Sequence, residues 1–238
     1  MPLKVKREKT ANPAAKAIKA KAKAVKTPRQ NPTPASDIDT RKIIAFDFDG
    51  TLTDRDSFVT FLTFASGRLK LAASLLGDPG MLADYLKTKD RGKLKSVILY
   101  KLLGKISQQE LETLIRSFVT AMGMSLFRPD ALEAWGAHDL PDRQRVIVTA
   151  SPQLLVAPFG ALIGADRVIG TRLGFSDDGR LTPNLEGANC RGEEKMIRLR
   201  EAFGSGLDLE AAYGDTEGDR EMLAAARHGH YRVFTAKP

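Results

Sequence analysis

Apolar positions along this chain change period twice. Ile43 to Phe48 is a short, nearly continuous β-prone run that ends in Asp47 and Asp49, followed by Gly50-Thr51 where the backbone must turn. Between residues 57 and 126 the apolar residues recur at helical spacing. Phe58, Phe61, Leu62, Ala65, Leu69, Ala72, Ala73 and Leu76 form one stretch, and Ile98, Leu99, Leu102, Leu103 and Ile106 another. Gly77-Asp-Pro-Gly80 breaks the first stretch from the next helix, and Ser107-Gln-Gln-Glu110 is a capping box that opens a helix carrying Leu111, Leu114, Ile115, Phe118 and Met122. From Pro129 helix and strand alternate. The pattern predicts helices over 130–137, 152–163, 192–203 and 217–227, and strands over 145–149, 168–175, 209–213 and 231–235. The second of these strands turns at Ser176-Asp-Asp-Gly179 into Arg180-Leu-Thr and reads as a hairpin. Alternating strand and helix imply an α/β fold, a parallel sheet with helices on both faces. The helical block after the first strand reads as an insert. The expected organisation is a tail over 1–40, a core over 41–56 and 128–238, and a helical cap over 57–127.

Charge divides the chain differently. Residues 1–42 carry 12 Lys and Arg against 3 Asp and Glu, a net +9, whereas the remaining 196 residues carry 25 against 26, a net −1. The body is therefore near neutral, and the basic balance does not make it a nucleic-acid-binding enzyme. Residues 1–40 are rich in Lys, Ala and Pro with few large apolar residues, a composition expected to be disordered. They lack the continuous apolar core of a secretory signal. Two readings stand: an electrostatic tether to an anionic membrane, with nucleic acid the less favoured partner, or a solvated tail without consequence. The first helical stretch of the insert is unusually apolar, but Arg68 and Lys70 interrupt it well short of the ~20 residues that span a bilayer. It suits either packing or contact with lipid. One cysteine, Cys190, rules out an internal disulfide and fits a reducing, cytoplasmic setting, peripheral to the inner face of the membrane if the tail binds there. Three histidines without ligand spacing argue against zinc.

The candidate chemistry sits at the ends of the predicted strands. Asp47 and Asp49 would point to opposite faces of a regular strand, but the turn at Gly50 could return Asp49 beside Asp47. Two acids on one side make a strongly anionic site that suits Mg²⁺, which takes one or two carboxylates with phosphate and water. Thr149 ends a buried strand ahead of Ala150-Ser-Pro152, where a hydroxyl and free N–H groups suit a phosphate oxygen; Ser151 could equally cap the next helix. Lys195, in Gly192-Glu-Glu-Lys195, opposes the helix dipole. That suggests an anion to be met, although a surface lysine is the common alternative. Gly214-Asp-Thr-Glu-Gly-Asp219 follows another apolar strand. Asp215 suits a metal and Asp219 a supporting position, and Thr216 with Asp219 also reads as a capping box.

Asp47-Phe-Asp-Gly-Thr-Leu-Thr-Asp54, Thr149, Lys195 and the Asp215–Asp219 segment together resemble, in order, the four motifs of the haloacid dehalogenase superfamily of phosphohydrolases, over about residues 42–236. The resemblance implies a Rossmann-like core with a C1-type helical cap, of subclass IB. Within it the chain is similar to phosphoserine-phosphatase-like proteins and to relatives of phosphatidylglycerophosphatase C. It implies Asp47 as nucleophile and Asp49 as general acid and base. Mg²⁺ would be held by Asp47, the Asp49 carbonyl and Asp215, and phosphate by Thr149, Lys195, Gly50 and Ser151, with Asp219 behind them. Asp56, Arg91, Lys93 and Lys95 are the expected readers of the leaving group. Phosphoserine phosphatases carry Glu where Asp56 stands, and Gly-Asp-Gly-Ala-Asn-Asp in place of Gly214–Asp219. Both departures point away from phosphoserine. A lipid phosphate such as phosphatidylglycerophosphate is the expected substrate, with a small-metabolite phosphatase as the alternative and a regulatory module with a nucleic-acid-binding tail as a third reading.

Overall fold

In the computed structural model, residues 41–238 are described, apart from Asp78, Lys89 and Ser205. The expectations for residues 1–40, disorder and a membrane tether among them, lie outside the described residues. The chain forms β1 (Lys42–Phe46), five helices α1 (Ser57–Ser66), α2 (Arg68–Leu76), α3 (Pro79–Thr88), α4 (Arg91–Leu103) and α5 (Gln108–Met122), and a 3-10 turn (Gly123–Leu126). It continues with α6 (Pro129–Ala137), β2 (Arg143–Pro152), α7 (Gln153–Ile163), β3 (Arg167–Thr171), β4 (Leu173–Phe175), β5 (Leu181–Leu185) and α8 (Glu193–Phe203). β6 (Leu209–Gly214), a 3-10 turn (Glu217–Asp219), α9 (Arg220–Ala225) and β7 (His228–Tyr231) complete it.

Five strands form one sheet in the order β3-β2-β1-β6-β7, every pair parallel, with Ala45 opposite Val146 on one side and Ala212 on the other. Residues 43–46 are all buried, as a parallel strand covered on both faces requires. Alternation sends Ile44 and Phe46 to one face, where they meet Ile147, Tyr213, Trp135 of α6 and Phe159 of α7. Ile43 and Ala45 point the other way, into a second cluster with Met196 and Leu199 of α8 and Met222 of α9. The helical insert joins the first cluster through Phe58, Phe61, Leu99, Leu111, Ile115 and Phe118. Phe61 of α1 lies 5.5 Å from Phe118 of α5, which packs edge-to-face on Phe159 at 5.8 Å, so the buried Phe58, Phe61 and Leu62 of α1 are accounted for by the core. Among their described large apolar residues, α1 and α2 leave Val59 (51% exposed), Phe64 (44%) and Leu69 (89%) outward.

Four expectations are corrected. The helix read over 57–76 is two, because Gly67 at φ 79 and ψ 154 takes a conformation that only glycine adopts readily. The strand read over 168–175 breaks at Arg172, so that β4 leaves the main sheet and pairs antiparallel with β5 across the predicted turn. The helix read over 217–227 is a 3-10 turn followed by α9, which ends at Ala225. The final strand lies earlier than expected: β7 is His228–Tyr231, and Arg232 at φ 54 ends it. The residues beyond pack instead, with Phe234 stacked 5.4 Å from Tyr213.

The β4–β5 hairpin fastens the insert to the sheet. The Gln108 N–H donates to the Gly179 carbonyl at 2.9 Å and the Leu181 N–H to the Ile106 carbonyl at 2.9 Å. The Ser96 hydroxyl of α4 donates to the Asn184 carbonyl at 3.0 Å.

Candidate active site

Strands β1, β2 and β6 end at one rim, and each delivers part of a single cavity of about 210 Å³. Asp47 leaves β1 with its N–H donating to the Tyr213 carbonyl at 2.9 Å, which fixes the backbone across to β6. The turn after Phe48 brings Asp49 to the same cavity. Gly50 stands at φ 87, and a Cβ there would collide with the Asp215 carboxylate; only glycine allows β1 and β6 to place these groups so close.

Lys195 is 1% exposed, which excludes a surface role. Its ammonium donates to Asp47 Oδ1 at 2.6 Å, Asp219 Oδ1 at 2.6 Å and the Val148 carbonyl at 2.7 Å, satisfying all three protons. Burial alone would lower its pKa, but the Asp47 and Asp219 carboxylates outweigh it and hold the lysine charged. Asp219 is fully occupied. Its other oxygen accepts from the Asp215 N–H at 3.2 Å, the Thr216 N–H at 2.9 Å and the Thr216 hydroxyl at 2.9 Å. The capping box expected of Thr216 and Asp219 is present. Burial pushes against ionisation of Asp219, yet Lys195 keeps its pKa below the usual range.

Asp47 differs. Burial raises it to about 7 despite Lys195, with Asp219 and Asp49 adding to the rise. Asp215 is raised as well, by burial and then by Asp219. The site is thus short of positive charge. Asp47, Asp215 and Asp219 offer carboxylate oxygens that all lie within 4.8 Å of one another, and the Thr51 hydroxyl is 3.4 Å from both Asp47 and Asp215. An all-oxygen set with surplus negative charge fits a hard divalent cation.

Asp49 is held from two elements. The Ser57 N–H at the start of α1 donates to one oxygen at 2.7 Å, and the Ser151 hydroxyl of β2 donates to the other. Burial raises its pKa, with the nearby Asp56 charge adding to the effect. Ser151 in turn accepts from Lys95 Nζ at 3.2 Å, so a residue of α4 reaches the core acid through one hydroxyl. Thr149 is buried at the cavity wall, its Oγ1 accepting from the Ser151 N–H at 3.0 Å. Asp56 caps α1 by accepting from the Val59 N–H at 2.8 Å and also lines the cavity, 4.0 Å from Lys95. Arg91 and Lys95 line it too; Lys93 is exposed and stands outside the lining. Two lining residues escaped the sequence reading, Asn189 and Arg191. The signal available for them was position alone, a polar loop directly ahead of the helix that carries Lys195.

Fold and rim together define an α/β protein whose carboxylates gather where parallel strands end. The family model for haloacid dehalogenase-like hydrolases matches residues 44–224, and the chain belongs to that family. It is 48% identical over 196 residues to the protein CicA of Caulobacter vibrioides, covering 82% of this chain and 88% of that one. A probable phosphatase of Mycobacterium tuberculosis is 27% identical over 190 residues, 77% of this chain and 66% of that protein. Among solved structures, a phospho-aspartyl intermediate analogue of phosphoserine phosphatase superposes with a TM-score of 0.53 at 21% identity, over 79% of this chain and 84% of the other, which supports the fold.

Proposed function

We propose that the protein is a Mg²⁺-dependent phosphomonoester hydrolase that works through an aspartyl-phosphate on Asp47. The chain is a phosphatase of the haloacid dehalogenase-like family. The observation that carries the mechanism is the buried Lys195 ammonium, 2.6 Å from both Asp47 and Asp219, beneath a cavity that also holds Asp49 and Thr149. Asp47 Oδ2 has only a long contact to Thr51 and is the oxygen free to attack phosphorus. The new O–P bond forms as the ester P–O bond breaks, and the leaving alkoxide takes a proton from Asp49. Burial of Asp49 favours the protonated form that this step needs. Asp49, now ionised, then takes a proton from the water that attacks phosphorus and releases phosphate. Thr149, the backbone after Gly50, Ser151 and the Lys195 charge stabilise the transferring group. Asp47, Asp215 and the Asp49 carbonyl would hold Mg²⁺, which when bound neutralises the phosphate and the nucleophile together. The helical block from 57 to 127 acts as the cap, and Arg91, Lys95 and Asp56 stand where the leaving group must lie.

The substrate is a polar phosphate ester small enough for the cavity, or a lipid phosphate whose chains remain outside. The outward Val59, Phe64 and Leu69 favour the lipid reading. The test is phosphate release with and without Mg²⁺ from soluble and lipid phosphates. Asp47→Asn is expected to reduce turnover by at least about 10³-fold. Undiminished turnover in that variant ends the mechanism.

A further inference from the structure

Most charged groups facing the cavity are matched by another. Lys195 is consumed by Asp47 and Asp219, and Lys95 by Ser151 with Asp56 nearby. Arg91 and Arg191 are the exceptions: among the described residues neither guanidinium has an ion pair or hydrogen bond, though both line the cavity. A guanidinium carries five donors in a fixed planar fork, suited to a carboxylate or phosphate-type anion.

Arg191 is presented by a loop fixed at several points. The Gly192 N–H donates to the Gly218 carbonyl at 2.8 Å, and the Cys190 N–H to the Thr171 hydroxyl at 3.0 Å. Thr171 Oγ1 lies 2.9 Å from Asn189 Oδ1, and Arg198 holds the Ala188 carbonyl at 2.8 Å. Two glycines give the loop its room. A Cβ on Gly218 would stand 2.7 Å from Arg191 Nη1, and one on Gly92 of α4 would stand 2.6 Å from Asn189 Cβ. The guanidinium therefore rests on the Gly214–Asp219 loop of the core, while Asn189 abuts the insert beside Arg91.

We infer that Arg191, with Arg91 of α4 in the same cavity lining, is an anion subsite that selects phosphate esters whose leaving alcohol bears a second acidic group, a carboxylate or a phosphodiester. This rests on the phosphatase reading and deepens it. A substrate with a cationic or neutral alcohol would leave the half-buried Arg191 guanidinium without an acceptor, and discrimination follows from that loss, with the exposed Arg91 adding to it by charge. The geometry assigns Arg191 to the leaving group because the phosphoryl end is already served by Lys195, Thr149 and the carboxylate rim.

The full chain is assayed with Mg²⁺ on alkyl phosphates matched in size. Their alcohols carry a carboxylate, a methyl phosphodiester, a neutral amide or an ammonium, and para-nitrophenyl phosphate is run alongside. Wild type is expected to prefer one or both anionic arms over the amide by about 10–100-fold in kcat/KM, chiefly through KM, and the two anionic arms separate carboxylate from phosphodiester. Arg191→Met collapses that ratio towards one, and Arg191→Lys retains part of it. Equal turnover of all four arms by wild type overturns the inference. So does an Arg191→Met variant that slows every arm by the same factor, which would place Arg191 on the transferring phosphoryl group. Turnover of none of the substrates, para-nitrophenyl phosphate included, removes the phosphatase reading and this inference with it.

Discussion

At the scale of single residues, the site is governed by one cation shared between two acids. Removing the Lys195 ammonium leaves Asp47 and Asp219 facing each other in a buried site, and breaking such a pair costs about 3–5 kcal/mol. Lys195→Met is therefore expected to lower unfolding stability by about that amount in urea titrations, and Mg²⁺ should restore part of it. A variant as stable as wild type would show that the two acids do not depend on the lysine for charge. The pH dependence comes from shifts of opposite sign. Asp219 has a pKa lowered by Lys195, so it contributes stability that is present above about pH 4 and lost as pH falls through its folded value. Asp47 is raised from 3.8 to about 7 by burial, so its ionisation disfavours the metal-free fold increasingly from pH 4 to 7. A cation bound there must displace that proton. The rise in Tm produced by Mg²⁺ should accordingly be larger at pH 8 than at pH 5.5, which thermal melts at fixed ionic strength will measure. A rise independent of pH would argue that the cation does not bind Asp47.

The elements differ in how openly the sequence announces them. β1, β2, β6 and α5 are legible because an apolar run or a capping box marks each, and the site segments fall at the ends of the three strands and at the start of α8. The break after Ser66 is not legible from apolar spacing, since Phe58 to Leu76 keeps helical period through it; the backbone angle of one glycine decides it. Gly67 has no atom within 4 Å of a Cβ placed on it, so Gly67→Ala tests backbone strain without a packing clash. The expected loss is about 1–3 kcal/mol by chemical denaturation, and a neutral result would mean that α1 and α2 can join without cost. Arg191 was illegible for another reason. Its partner surface, Gly218, is 27 residues away and is joined to its loop by the Gly192 N–H donating to the Gly218 carbonyl at 2.8 Å, which spacing alone does not report. α4 reaches the site as well as the core, because Lys95 donates to Ser151, which donates to Asp49. Lys95→Met is expected to lower kcat by about tenfold, the equivalent of one charge-assisted hydrogen bond, with partial recovery in Lys95→Arg. A change confined to KM would place Lys95 on substrate rather than behind Asp49.

At the scale of the whole molecule, charge and fold are separated along the chain. Residues 1–40 hold 10 of the 37 Lys and Arg and 3 of the 29 Asp and Glu, so removing them leaves a net charge of about +1 in place of +8. Among the described residues no helix is long and apolar enough to cross a membrane. Any attraction to an anionic surface therefore falls to the basic segment, to the outward Val59, Phe64 and Leu69, or to both. These two sources respond differently to salt: a polybasic segment is screened within a Debye length of about 8 Å at 0.15 M, whereas apolar insertion is not. The full chain is expected to sediment with vesicles containing phosphatidylserine at low salt and to be released as salt rises. A chain lacking residues 1–40 should remain in the supernatant and hydrolyse soluble phosphate esters at the wild-type rate. Binding that survives both truncation and salt would transfer the contact to α1 and α2, and would strengthen a lipid phosphate as the substrate. If neither chain binds at any salt concentration, the segment is a solvated tail and the substrate is sought among soluble esters that Arg91 and Arg191 can hold.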